Sequence, residues 1–189
     1  REQSEEAFAT LVSRHIDMVY SVALRQVSNP HLAEEITQAV FVILARKSGN
    51  LGKGTILPAW LYRTTRFTAG NSLRTEIRRN RREQEAYMQS ISEDPEPNAW
   101  AQIAPLLEDA IDTLRERERQ AVILRFFQGK DFREVGVALG TTDNAAQKLI
   151  GRAVEKLRGF FVKRGLKVSV SVLLGVVAAN SVQAAPAAT

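Results

Sequence analysis

Apolar positions recur with a helical period along most of the chain. Between residues 6 and 25 the spacing of Phe8, Leu11, Val12, Ile16, Val19, Tyr20, Ala23 and Leu24 predicts one long amphipathic helix. Pro30 breaks the pattern, and Asn29 beside it suits a cap for the next helix. That second helix turns Leu32, Ile36, Ala39, Val40, Ile43 and Leu44 inward and leaves Glu34, Glu35 and Gln38 outside. The glycine-rich stretch 48–56 reads as a loop, and Gly52 and Gly54 lack the lysine and hydroxyl spacing of a phosphate-binding loop. Pro58 opens a third helix. Trp60, Leu61, Thr64, Phe67, Thr68 and Leu73 supply its apolar or small side, and Arg63, Arg66, Arg74, Arg78, Arg79, Arg81 and Arg82 its charge, with Gly70 marking a bend or close approach.

The second half has shorter helices. Leu106, Leu107, Ala110, Ile111 and Leu114 share one face, and Ala121, Val122, Leu124 and Phe126 belong to the next helix, closed by Phe127, Gln128 and Gly129. Asp131 and Glu134 have capping-box spacing ahead of Phe132, Val135 and Leu139. Gly140 then stops that helix, because glycine takes the left-handed conformation without penalty. Thr141 and Thr142 can cap a further helix in which Ala146, Leu149, Ile150, Ala153 and Leu157 face inward and Gln147, Lys148, Arg152, Lys156 and Arg158 outward. Two short helices, a tight turn and a basic second helix form a helix-turn-helix pattern, with an ordinary helical hairpin as the plain alternative.

Between these halves, residues 89–105 carry acidic side chains and prolines 95, 97 and 105, the best domain boundary in the chain. The expected architecture is all-α: two small helical domains, 1–88 and 106–160, an acidic proline-containing linker at 89–105, and a C-terminal extension at 161–189. With 189 residues and 44% hydrophobic content, the chain can build one or two small cores.

Charge separates the same segments. The net charge is only +5, but residues 60–82 hold seven basic groups against one acidic, 83–118 two against ten, and 119–189 eleven against four. Two basic blocks flanking an acidic one fit two polyanion-binding surfaces and a connector that avoids the polyanion. A membrane surface or an acidic protein satisfies the same blocks. An arginine-rich helix with interleaved aromatics can grip phosphates and stack on unpaired bases, with core packing as the alternative for Trp60.

Residues 168–189 carry no charge and follow Lys163, Arg164 and Lys167. This segment admits three readings: a helix packed on the protein or on a partner, a membrane-associated stretch near the lower length limit, or disorder. Cysteine is absent and the histidines, His15 and His31, lie in separate segments, so no His/Cys metal site is expected and no cofactor is implied. No Ser-His-acid arrangement is legible, and Glu34 and Glu35, adjacent on a helix, point in different directions; catalysis is not expected.

The ordered combination of FATLVSRHIDMVYSVALR (8–25), AEEITQAVF (33–41), AWLYRTTRFTAGNSLRTEIRR (59–79) and the segment 107–158 resembles the bacterial extracytoplasmic-function sigma factors, the compact group of the sigma-70 family. The resemblance covers about residues 5–160. It implies a non-catalytic RNA polymerase specificity subunit in the bacterial cytoplasm or nucleoid, with core RNA polymerase and promoter DNA as partners. The first domain, region 2, would bind the polymerase clamp and the minus-ten element; the second, region 4, the flap and the minus-thirty-five element. An anti-sigma factor or membrane regulator, and self-contact by the extension, are further partners left open.

Carried to this sequence, Glu34, Glu35, Gln38, Val40 and Phe41 match the core-polymerase-binding segment. Trp60, Arg63, Arg66, Phe67, Asn71, Arg74, Arg78 and Arg79 fall in the segment used for promoter opening. Thr142, Asn144, Ala145, Gln147, Lys148 and Arg152 fall on or beside the duplex-reading helix. Gln147 could read an adenine edge, and Lys148 or Arg152 hold a phosphate or guanine. Four features depart from the family: Phe67 stands where relatives often have asparagine, Asn71 where aspartate is common, Arg115 where proline is frequent, and Gln147 and Leu149 make the reading helix less basic. Two other readings remain, a one-component DNA-binding regulator and a membrane-associated helical adaptor using residues 168–185.

Overall fold

The computed structural model describes residues 2–83, 99–166 and 168–186, with side chains for all of these except 2–4 and 75–83. The described residues form eight α-helices.

Helices α1 (Glu2–Val27), α2 (Pro30–Lys47) and α3 (Leu57–Glu83) pack as one bundle. The α1–α2 reversal takes two residues. Ser28 occupies the left-handed region, with φ of 52°, and Asn29 caps α2 by accepting the Leu32 amide at 3.1 Å. Met18, Val19, Val22, Ala33, Ile36, Val40, Leu44, Leu61 and Tyr62 fill the space between them. Each large apolar side chain so buried contributes about 1.5–3 kcal/mol against its exposed state.

The phase of α3 differs from the expected one. Leu61, Tyr62, Thr65 and Ala69 face the core, while Phe67, expected on the apolar side, is 71% exposed. The physical reason is helical phase: Leu61, Thr65 and Ala69 recur at four-residue spacing with Tyr62 beside them, which turns Phe67 to the opposite side. Thr65 satisfies its buried hydroxyl locally by donating to the Leu61 carbonyl at 2.8 Å.

Helical structure precedes the expected boundary at residue 106. Helix α4 runs Ala99–Asp112, so residues 99–105, assigned to the linker, are helical, with exposed Pro105 inside the helix. Proline costs one backbone hydrogen bond there, and the burial of Ile103, Leu107, Ala110 and Ile111 on the opposite side outweighs it. Helix α5 (Glu116–Val122) continues into a π-helical turn, Ile123–Phe127, closed where the Gln128 amide donates to the Ile123 carbonyl at 3.2 Å. This wider turn ends at Gly129, whose φ of 65° suits glycine. Helices α6 (Phe132–Ala138) and α7 (Asp143–Lys163) follow, and α8 (Val170–Asn180) is the last described helix.

The two regions do not stand apart. Tyr62 of α3 meets Phe127 edge-on, with ring centroids 5.8 Å apart, and the Gln128 side chain reaches the Met18 sulfur at 3.3 Å. Arg25 of α1 pairs with Glu108 of α4 at 2.8 Å, both side chains being almost fully buried. The extension is the packed helix among its three readings: Leu173 and Val177 of α8 are buried against α4, α7 and the π-turn. Among the described residues no helix is long and apolar enough to cross a membrane.

Candidate nucleic-acid interface

The helix-turn-helix is fixed by its own side chains and backbone. Asp131 accepts the Glu134 amide at 2.7 Å and Glu134 accepts the Asp131 amide at 2.9 Å, which closes the capping box of α6. Gly140 ends α6 with φ of 61°. The Thr141 amide then donates back to the Gly136 carbonyl at 2.8 Å, and the Thr142 hydroxyl accepts the Ala145 amide at 3.3 Å to start α7. Gly136 itself is required: a Cβ there would meet the Thr141 oxygen and the Thr142 carbonyl carbon at 3.0 Å, both backbone atoms. Arg117 ties α5 to the turn by donating to the Leu139 carbonyl at 2.8 Å.

That scaffold presents one face of α7. Ala146, Ile150, Ala153, Val154, Leu157 and Phe161 are buried beneath it. Thr142, Asn144, Ala145, Gln147, Lys148 and Arg152 are all exposed, so every residue expected on the reading helix is on the surface. Asn144, Lys148 and Arg152 follow one another at four-residue spacing and form an edge, with Gln147 beside them and Ala145 leaving room for close approach. Exposed Arg133 on α6 extends the basic surface and was not singled out by the sequence pattern. Below the face, Glu118 of α5 receives the Lys156 ammonium at 2.6 and 2.8 Å. Burial pushes the Glu118 carboxyl up, but the Lys156 hydrogen bond and the Arg115 backbone amide outweigh it, and its pKa lies below the ordinary carboxylate value.

In the first region, Trp60, Arg63, Phe67, Asn71 and Arg74 fall at spacings of three and four along α3 and make one outward stripe. Trp60 is half-buried, and the other four are exposed. The side chains of Arg78 and Arg79 lie outside the described residues, as do those of Arg81 and Arg82. Arg66 lies on the neighbouring flank, which faces region 4. Its guanidinium pairs with Asp112 of α4, Nε donating at 3.2 Å, and with Asp109 at 3.2 Å. Burial alone would lower the Arg66 pKa, but its bonds to Asp112 and Asp109 outweigh that and raise it. Arg63 lies 3.8 Å from Glu116 at the start of α5.

On α2, Glu34, Glu35 and Gln38 are exposed, and Glu35 lies 3.7 Å from His31. Val40 and Phe41 are core residues, 0% and 7% exposed. Helical phase instead brings Val42, 49% exposed, to the surface on the side of Gln38. Among the described residues no group of His, Cys, Asp or Glu is placed to hold a metal ion.

The two halves match separate family models, Sigma-70 region 2 over residues 11–83 and Sigma-70 region 4 over residues 105–157. Among curated proteins, the RNA polymerase sigma factor CarQ of Myxococcus xanthus is 30% identical over 177 residues, covering 89% of this chain and 97% of that one. The ECF RNA polymerase sigma factor SigE of Mycolicibacterium smegmatis is 32% identical over 160 residues, covering 81% of this chain, and this chain spans 61% of its length. A solved structure of the sigma factor RpoE in complex with the anti-sigma factor NepR from Bartonella quintana aligns with 82% of this chain and 96% of that chain, at 18% identity and a TM-score of 0.43.

Proposed function

The chain belongs to the extracytoplasmic-function group of the sigma-70 family, and from that premise we propose which of its surfaces do the family's work. A sigma factor of this group is a non-catalytic specificity subunit: it binds core RNA polymerase and directs initiation at particular promoters. Here α7 is the duplex-reading helix and the outward stripe of α3 is the strand-opening surface. The observation that carries the assignment is the exposed face of Thr142, Asn144, Ala145, Gln147, Lys148 and Arg152, behind a turn that fixes its backbone.

Each side chain has a distinct task. In a major groove, Gln147 can pair with an adenine edge through its amide, while Lys148 and Arg152 hold phosphate or a guanine. The start of α7 beside Thr142, the positive end of the helix dipole, suits a phosphate oxygen. On α3, Phe67 offers a ring for stacking on an unpaired base, Asn71 a hydrogen-bonding amide, and Arg63 and Arg74 backbone charge. Glu34, Glu35, Gln38 and Val42 form the surface offered to core polymerase, while Val40 and Phe41 support it from the core. An anti-sigma factor is a further partner of the kind the family uses, and the chain acts at the nucleoid.

A one-component regulator would need only the second region, and it leaves the match over residues 11–83 without a role. The adaptor reading loses its anchor, since α8 has 11 residues and is packed on the protein.

The direct experiment is transcription from a randomised promoter library by purified core RNA polymerase, with and without this protein. The expected result is a set of protein-dependent starts that share two upstream elements at a fixed separation. Unchanged start sites, from a folded protein that also fails to bind core polymerase, would overturn the proposal.

A further inference from the structure

We propose that residues 168–186 act as a clasp, holding region 4 against region 2 and withdrawing the flank of α3 from nucleic acid. This rests on α3 being a DNA-contacting helix. The segment has two ends with different seats. Ser169 caps α8 by accepting the Val172 amide at 3.2 Å, and Leu173 and Val177 then bury the helix on region 4. The residues after α8 leave region 4 and run along α1. The Gln183 amide donates to the Ser21 hydroxyl oxygen at 2.6 Å, and the Ala185 amide to the Asp17 carboxylate at 2.8 Å. One short segment therefore holds both regions.

Arg25 is where the three parts meet. Its Nε donates to Glu108 of α4 at 2.8 Å, and its Nη1 donates to the Ser181 carbonyl of the extension at 2.7 Å. Its guanidinium lies 5.9 Å from the Trp100 ring centre and 5.5 Å from that of Phe127. Ser181 completes the joint by donating from its hydroxyl to the Phe126 carbonyl at 2.8 Å. The Nε and Nη1 of this buried guanidinium find their acceptors only when region 2, region 4 and the extension are all in place.

The consequence appears on α3. With the regions closed, Asp109 and Asp112 take the Arg66 guanidinium and Glu116 stands beside Arg63. Carboxylates thus occupy the places a phosphate would take, as competitors for the same donors. The clasp is suited to release, because its hold on α1 is a few hydrogen bonds and its segment carries no charge.

The chain has no cysteine, so Ala45→Cys on α2 and Ala138→Cys on α6, both exposed positions, give a clean pair of spin labels. Distances are measured by double electron–electron resonance in the full chain, in L173D/V177D, which places charges in the α8 seat, and in D17A/S21A, which removes the Asp17 and Ser21 side-chain bonds to the extension and leaves the Arg25 bond to Ser181. Each is also titrated with a short mixed-sequence single-stranded DNA. The full chain is expected to give one narrow, short distance. L173D/V177D should give a longer, broader distribution and bind the DNA about tenfold more tightly, with D17A/S21A between the two. An unchanged distance in L173D/V177D, or an opened chain with no gain in DNA affinity, overturns the clasp. If circular dichroism shows L173D/V177D unfolded, D17A/S21A decides alone: no movement in either measurement overturns it. If core polymerase initiates nowhere with this chain while both contrasts persist, the promoter-reading assignment falls and the clasp stands. If start sites are selected but changes in the extension alter neither distance nor affinity, the clasp falls and the promoter-reading assignment stands.

Discussion

The two helices proposed to contact DNA are exposed to different degrees. On α7 every assigned side chain faces solvent, over a turn held by Gly136, Gly140 and Thr142. On α3 the outward stripe is open at Phe67, Asn71 and Arg74, yet its flank is tied down through Arg66 by acidic residues of the other region. Duplex reading needs a rigid, preformed surface, since a bidentate base contact tolerates little misplacement. Strand capture acts on bases that must first leave the stack, so a covered surface is compatible with use at a later step. On the proposed assignment the asymmetry is between a surface ready to read and a surface held in reserve.

The largest effect should come from cutting the joint between the regions. Arg25→Ala leaves the Glu108 carboxylate buried without its partner, which costs about 3–5 kcal/mol in stability by urea unfolding. Arg66→Ala, at a partly exposed pair, should cost much less by the same measurement, and equal losses would erase the distinction drawn between them.

Gly136→Ala comes next. Its new methyl meets backbone rather than a pliable side chain, so it should cost about 1–3 kcal/mol and weaken binding to duplex DNA while leaving single-strand binding intact. Phe67→Ala should do the opposite. At 71% exposure the ring adds little to the fold, so the melting curve should not move, while affinity for single-stranded DNA falls by about 1–3 kcal/mol, read by anisotropy titration.

Smaller effects follow from titration. The Glu118 carboxyl is held below its ordinary value, so its contribution is present above the ordinary carboxylate range and is lost as pH falls through the folded value. Lys156→Met should cost about 1 kcal/mol near neutral pH, since Lys156 is partly exposed, and should flatten stability against pH on the acid side. His15, buried on α1, has a pKa below 6.5 because burial and the nearby Arg14 charge disfavour its cation, against a hydrogen bond with Gln128. Its contribution is present above 6.5 and is lost as pH falls through the folded value, so His15→Gln should reduce the loss of thermal stability below that pH.

Much of this was legible in the residues themselves. The capping box at Asp131 and Glu134, the stop at Gly140, the caps at Asn29 and Thr142 and the exposed face of α7 follow from local chemistry, which needs no knowledge of distant parts of the chain. What escaped depends on tertiary contact. Arg25 reads as one more helix-end cation, and only the folded chain brings it to Glu108 and the Ser181 carbonyl. Gly136 gives no sequence signal distinct from a weak helix position, because its need arises from the next turn's backbone. Pro105 signals a boundary, yet one side of a helix tolerates it when the other side is buried. Val40 and Phe41 share a segment with the exposed Glu34, Glu35 and Gln38, and helical phase alone separates surface from core. The same phase, applied to α3 from Leu61 onward, would have placed Phe67 outside.

The most direct test of a division of labour between α7 and α3 is start-site mapping on the randomised promoter library with core polymerase and three proteins: wild type, Gln147→Ala and Phe67→Ala. A division of labour predicts two elements at fixed separation for the wild type, relaxed preference confined to the upstream element with Gln147→Ala, and relaxed preference confined to the downstream element with Phe67→Ala. Protein-dependent starts in which both substitutions alter both elements alike would contradict it.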